Sequence, residues 1–243
     1  MSSQEPKSRG VVDIVFLVDI TGSMEPCINA LKNNISQFIH SLTTRDANNS
    51  CPVSDWRARV VGYRDFVCDD TPFVDNPFVR DPAELTAQLS GLHADGGGDE
   101  PESLLDALFK VVEIGQTEKG AQSEDPRLWR YRSSAARVVI VFTDASFHPT
   151  MAIPDAHGGG LTDVFNSLTA NRICLSIFAP DMPCYDELSQ VDKSEYEAIP
   201  FDSTDPEGPQ KALAQYTSNR ANFANTLKQL AASVSKSAAT PEL

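Results

Sequence analysis

Val11-Val-Asp-Ile-Val-Phe-Leu-Val-Asp19 runs straight into Ile20-Thr-Gly-Ser23, and the chain is best understood outward from that join. The first nine residues are nearly all apolar and β-branched, the composition of a strand buried on both faces at the centre of a parallel sheet. Beyond the Thr21-Gly22 turn, apolar residues recur at Ile28, Leu31, Ile35, Phe38, Ile39 and Leu42, which is helical spacing. Strand, tight turn and helix together open a βαβ unit.

Further strands are expected over Arg59-Val-Val-Gly-Tyr-Arg-Asp-Phe66, over Val138-Val-Ile-Val-Phe-Thr143 ending on Asp144, and over Ile173 to Ala179, with a weak one near Ile199-Pro-Phe201. Between them, helices are expected from Pro82 to Leu92 behind an Asp81 cap, and from Glu102 to Ile114. Others are expected from Thr162 to Ala170, near Tyr185 to Gln190, and from Arg220 to Ser235. Residues 115–135 are polar and irregular, with Trp129 as their anchor on the core. Alternating strands and helices predict an α/β fold: a doubly wound, mostly parallel open sheet with helices on both faces. The domain is expected over residues 11–236, between flexible tails at 1–10 and 237–243.

With 243 residues the chain is long enough for one large domain with a substantial core. Its formal net charge of −14 argues against nucleic acid, because phosphate binding needs a basic surface that releases counterions. Solubility is the first use of such a charge; attraction of cations or basic partners is the second. No run of about 18 apolar residues occurs, so no membrane span is expected. Residues 1–10 lack the apolar stretch of a secretory signal, which makes the cytoplasm the expected compartment. The five cysteines form no CxxC pair, which weighs against zinc and thioredoxin-type chemistry and suits thiols in a reducing compartment.

Asp19, Thr21 and Ser23 place a carboxylate and two hydroxyls at alternate positions of one turn, where they can face a common centre. Such a hard-oxygen set carries too little charge for a Ca²⁺ cage and suits Mg²⁺ or Mn²⁺ that keeps several waters. Asp99, beside the glycine run, and Asp144, at a strand end, are placed to complete the shell directly or through water. In open α/β sheets ligands bind outside the carboxyl ends of the strands, where Asp19 and Asp144 both stand.

Asp19-Ile-Thr-Gly-Ser23 resembles the Asp-x-Ser/Thr-x-Ser motif of von Willebrand factor A domains. Gly96-Gly-Gly-Asp-Glu-Pro-Glu102 resembles that family's second loop, and Phe142-Thr-Asp-Ala145 its third. Gly62-Tyr-Arg-Asp-Phe66, Trp129-Arg130 and Asp144 to His148 further resemble a subgroup that includes the A domains attached to some alpha-kinases and bacterial relatives. The resemblance implies a metal-ion-dependent adhesion site in which Asp19, Thr21 and Ser23 give oxygens to the cation and Asp144 acts through water. The family's second loop commonly supplies a threonine; Gly98-Asp99 stands there in this chain, and the role is carried to Asp99. The implied function is non-catalytic: another protein's Asp or Glu fills the open coordination position.

Arg64, Asp65, Phe147 and His148 form the candidate rim. Arg64 and Asp65 read either as an ion pair bracing the site or as solvent-facing charges, Phe147 as an exposed contact, and His148 as a residue near a bound ligand. Glu100 and Glu102 read as helix-start carboxylates favoured by the macrodipole. Two other functions compete. A metal-independent scaffold within an intracellular complex would use another surface. A Mg²⁺-dependent phosphoryl-transfer enzyme would have Asp19 as nucleophile; such sites carry a second aspartate two residues on, where this chain has Thr21, and no Walker loop is present.

Overall fold

The computed structural model describes residues 10–44, 53–97, 100–192 and 194–239. Its strands are β1 (Val11–Asp19), β2 (Asp55–Tyr63), β3 (Phe73–Asp75), β4 (Ala136–Phe142), β5 (Ile173–Pro180) and β6 (Glu195–Ile199). They form one sheet in the order β3-β2-β1-β4-β5-β6, parallel throughout except for the β2–β3 pair. Its helices are α1 (Glu25–Thr43), α2 (Pro82–Ser90), α3 (Leu104–Val112), α4 (Leu161–Asn171), α5 (Pro183–Leu188), α6 (Gly208–Ser218) and α7 (Arg220–Ala239). This is the doubly wound, mostly parallel α/β sheet that the sequence predicts.

Side-chain alternation along β1 divides the core in two. Val12, Ile14, Phe16 and Val18 pack with α1, α2, α6 and α7, while Val15 and Leu17 pack on the opposite face with α3, α4 and α5. Every apolar position expected on the inner face of α1 is buried there, and Phe38 meets Phe16 edge-on at 5.3 Å. From β1 the chain crosses to β2 on one side and later returns to β4 on the other. The loops leaving β1 and β4 therefore diverge from neighbouring strand ends and open a crevice between them.

One residue of β1 breaks the apolar run. Asp13 is fully buried, and Arg57 on β2 grips it with Nε at 2.8 Å and Nη2 at 2.7 Å. The Arg130 backbone N–H donates to Asp13 at 2.8 Å, and the Arg130 side chain reaches out to Asp55 and Glu124, both at 2.9 Å. Arg57 also donates to the carbonyls of Asp125 and Leu128. These bonds tie the irregular 115–135 segment to the sheet. Trp129 anchors it as expected, fully buried and donating to the Val111 carbonyl at 3.0 Å.

Several element boundaries differ from the sequence reading, each for a physical reason. β2 begins at Asp55 rather than Arg59, because Arg57 and Arg59 look polar yet are buried in ion pairs with Asp13 and Asp75. β3 is too short, and too closely flanked by Pro72 and Pro77, to stand out from a loop. Beyond it, Val79 pairs with Ala58 of β2 through reciprocal backbone bonds of 2.9 and 2.8 Å. α3 starts at Leu104, two residues after the expected start, and the last strand is Glu195–Ile199 rather than Ile199–Phe201. α6 was not anticipated: it opens on Gly208-Pro209 and buries few apolar side chains, Leu213 among them. α7 continues past Ser235 to Ala239; Ala238 is buried and its carbonyl accepts from Gly10 N at 3.3 Å. Among the described residues no helix is long and apolar enough to cross a membrane.

Replacing Asp13 with Ala would leave Arg57 and Arg130 buried without their shared carboxylate. The expected cost is about 3–5 kcal/mol of stability, read as a lowered midpoint in urea unfolding.

Candidate metal centre

Asp19 closes β1 with no exposure to water, and its two oxygens are held separately. Oδ1 accepts from the Thr21 backbone N–H at 2.9 Å and from Thr21 Oγ1 at 2.7 Å; Oδ2 accepts from Thr143 Oγ1 at 2.9 Å. Thr143 therefore ties the end of β4 to the end of β1. Residues Gly22–Met24 form a single 3-10 turn that turns Ser23 back, so that its Oγ lies 3.5 Å from Thr21 Oγ1. Because Thr21 spends its hydroxyl proton on Asp19, its oxygen lone pairs remain for another donor or for a cation.

Above these groups lies a cavity of about 290 Å³, lined by Thr21, Gly22, Ser23, Gly96, Gly97, Glu100, Glu102, Asp144, Ala145 and Gln210. Asp19 sits beneath the lining and acts on it through the hydroxyls. The glycine run is clipped to the first loop, with Gly22 N donating to the Gly96 carbonyl at 3.3 Å and Asp95 N to the Ile20 carbonyl at 3.1 Å. Gly97 has φ of 74°, and a Cβ there would stand 2.8 Å from Thr21 and 3.0 Å from Glu102 Oε1. Only glycine meets both demands.

The loops thus bring together Asp19, Thr21, Ser23 and Asp144; Asp99 lies outside the described residues. The rim differs from expectation. Arg64 does not pair with Asp65: half-buried, it donates to the carbonyls of Ile20 at 3.2 Å and His93 at 2.8 Å, bracing the first loop. Asp65 is buried, accepting from Val67 N at 2.7 Å, Ser103 Oγ at 2.9 Å and Cys68 Sγ at 3.4 Å. His148 Nε2 lies 3.5 Å from Asp65 rather than in the cavity lining. Phe147 is not an exposed contact; it is buried and stacks edge-on against Tyr185 with centroids 5.5 Å apart.

Two residues of the centre were not read as such from sequence. In sequence Thr143 reads only as the last residue of a strand, and its hydroxyl immediately before Asp144 is the available signal. Glu102 reads in sequence as a helix-start carboxylate, but α3 begins beyond it and its side chain lines the cavity.

Electrostatically the centre is a crowd of acids. Burial pushes the Asp19 carboxyl up, against the opposing bonds from Thr21 and Thr143 and the charge of Arg64. Asp144 is raised to about 7 by burial and then by Asp19, with a Ser23 hydrogen bond opposing. Glu102 is raised to about 8 by burial, then by the charges of Asp19, Asp65, Asp69 and Asp144. Among the described residues no group of three or more His, Cys, Asp and Glu side chains is arranged to hold a metal ion. A cation here has to use hydroxyls as well as carboxylates. The donor set fits that requirement: all oxygen, hard, and with the buried Asp144 Oδ2 lacking any hydrogen-bond partner among the described residues.

No family model matches the chain. It is 26% identical over 151 residues to the alpha-protein kinase vwkA of Dictyostelium discoideum, a match covering 61% of this chain and 21% of the kinase. An ariadne-like RING finger protein of Acanthamoeba polyphaga mimivirus is 28% identical over 107 residues, 44% of this chain and 10% of that protein. The chain thus spans about a fifth or less of the length of these relatives. Among solved structures, the pilus adhesin SpaC of Lactobacillus rhamnosus GG in its open conformation aligns with 93% of this chain and 31% of its own, at 14% identity and a TM-score of 0.48.

The raised carboxyls set a pH dependence. Without a cation, folded Asp144 and Glu102 keep protons near neutrality that the unfolded chain has released. Chelator-treated protein is therefore expected to lose melting temperature as pH rises from about 5 to about 8, and saturating Mg²⁺ to flatten that loss. Gly97→Ala, forced against Thr21 and Glu102, is expected to lower the melting temperature at any pH.

Proposed function

We propose that this chain is a non-catalytic binding module of the von Willebrand factor A type. It holds Mg²⁺ or Mn²⁺ at the loops following β1 and β4 and offers the cation to an Asp or Glu of another protein. One observation carries the reading: the Thr21 and Ser23 hydroxyls and the Asp144 carboxylate, distant in sequence, line a single cavity at the point where the strand order reverses. When bound, the ion supplies a Lewis-acidic position for a carboxylate oxygen. Thr21 and Ser23 contribute neutral oxygens, Asp144 contributes charge, and Asp19 orients the Thr21 hydroxyl from below. A compartment with reducing conditions, the cytosol, is part of the proposal, consistent with the unbridged thiols of Cys27 and Cys184.

Absence of turnover is supported by the state of Asp19. Its oxygens are engaged by Thr21 and Thr143, and it lies under the cavity lining instead of facing it, the wrong place for an in-line nucleophile. The kinase named in Dictyostelium is a protein of which this chain matches 21%. A second reading has a specific observation in its favour. The three hydrogen bonds to Asp19 satisfy that carboxylate without any cation, as a purely structural turn in a metal-independent scaffold would require.

Thermal melts separate the two. A cation at about a hundred times its dissociation constant adds about 2.7 kcal/mol, which for a domain of this size is a rise of about 5–10 °C. Wild type is expected to show that rise with Mg²⁺ or Mn²⁺ and Asp19→Ala to show none. Identical melts with and without cation, in both proteins, would leave the scaffold reading.

A further inference from the structure

The backbone of Glu102 is held on both sides. Its backbone N–H donates to the Ser146 carbonyl at 2.9 Å and its carbonyl accepts from His148 N at 2.9 Å, so the second loop is stitched to the third at this residue. The residue is only 5% exposed, and its Oε2 has no hydrogen-bond partner among the described residues. Across the same cavity, Asp144 is 1% exposed, and its Oδ2 is unpartnered in the same way. Both side chains line the cavity together with Thr21 and Ser23. Glu102 Oε1 and Thr21 both close in on Gly97, where a Cβ would lie 3.0 Å from the one and 2.8 Å from the other.

Burying two carboxyls beside one cavity, each with an oxygen that nothing among the described residues satisfies, keeps them as carboxylates only if a shared positive charge enters between them. The hydroxyls of Thr21 and Ser23 supply neutral oxygens to that same space, and Asp19 already accepts three hydrogen bonds.

We infer that Glu102 is a ligand of the cation, supplying from the second loop a carboxylate oxygen that faces Asp144 across the Thr21 and Ser23 hydroxyls. The inference rests on the metal-binding reading above and specifies its charge. Glu102 and Asp144 together match the charge of a divalent ion, and Asp19 adds a third negative charge close by, so the site holds its cation without help from a partner. Less positive charge is then left to draw in a partner's Asp or Glu, and affinity for that partner is correspondingly modest.

The test is calorimetric titration of Mn²⁺ into chelator-stripped full-length protein, for wild type, Glu102→Gln and Glu102→Asp. Glu102→Gln, which keeps the shape and removes the charge, is expected to weaken Mn²⁺ by at least about tenfold, with Glu102→Asp losing clearly less. In chelator, Glu102→Gln is expected to melt no lower than wild type, because the amide keeps the side chain's shape and removes a buried acid from beside Asp144. Wild type that binds no Mn²⁺ would bring down the metal reading as a whole. Wild-type binding with Glu102→Gln within about twofold of it, or equal losses in the Gln and Asp variants, would overturn this inference alone.

Discussion

A buried carboxylate needs something to replace the water it has lost, and β1 carries two of them, Asp13 near its start and Asp19 at its end. The two are solved differently. Asp13 receives fixed guanidinium and amide donors from Arg57 and Arg130, and in exchange those arginines order the 115–135 segment. Asp19 receives neutral hydroxyls from Thr21 and Thr143, which satisfy its oxygens without neutralising its charge. One end of the strand is therefore electrostatically closed, and the other is left short of positive charge.

The loops around Asp19 converge in spite of that shortage, held by hydrogen bonds. Thr143 fastens β4 to β1, the Gly22–Gly96 and Ile20–Asp95 bonds fasten the glycine run to the first loop, and Glu102 with Ser146 and His148 fastens the second loop to the third. Each fastening moves another acid closer to Asp19, and each raises the preference of the cluster for protons or for a cation. Arg64 is the nearby cation of the chain itself, yet its side chain is committed to the carbonyls of Ile20 and His93. The geometry is rigid where it holds oxygen atoms in place and unbalanced where it counts charge.

What could be read from sequence follows the same division between apolar and polar burial. β1, α1, β4 and β5 were legible because their inward positions are hydrocarbon and repeat with a fixed period. The first half of β2 was not, since Arg57 and Arg59 are buried by partners that no local pattern reveals. α6 was hidden by an inner face with little hydrocarbon. In the centre, Asp19, Thr21, Ser23 and Asp144 were legible from spacing, whereas Glu102 depended on where α3 begins. A two-residue error in that boundary turned a cavity carboxylate into an apparent helix charge. Phe147 looked exposed because its loop is polar, but Tyr185, from α5, covers it.

The margins of the sheet have their own significance. An open sheet has two outer strands whose unpaired backbone can recruit a neighbour's strand. On one side the template is cut to three residues at β3, and β2 beyond it is capped by the reciprocal Ala58–Val79 bonds. On the other, β6 is five residues long and presents Glu195 and Glu197 to solvent. A second copy adding in register at β6 would set these glutamates against their own kind. The molecule thus discourages growth by strand addition at both borders, which leaves the loop end of the sheet, rather than its sides, as the face on which association can be selective.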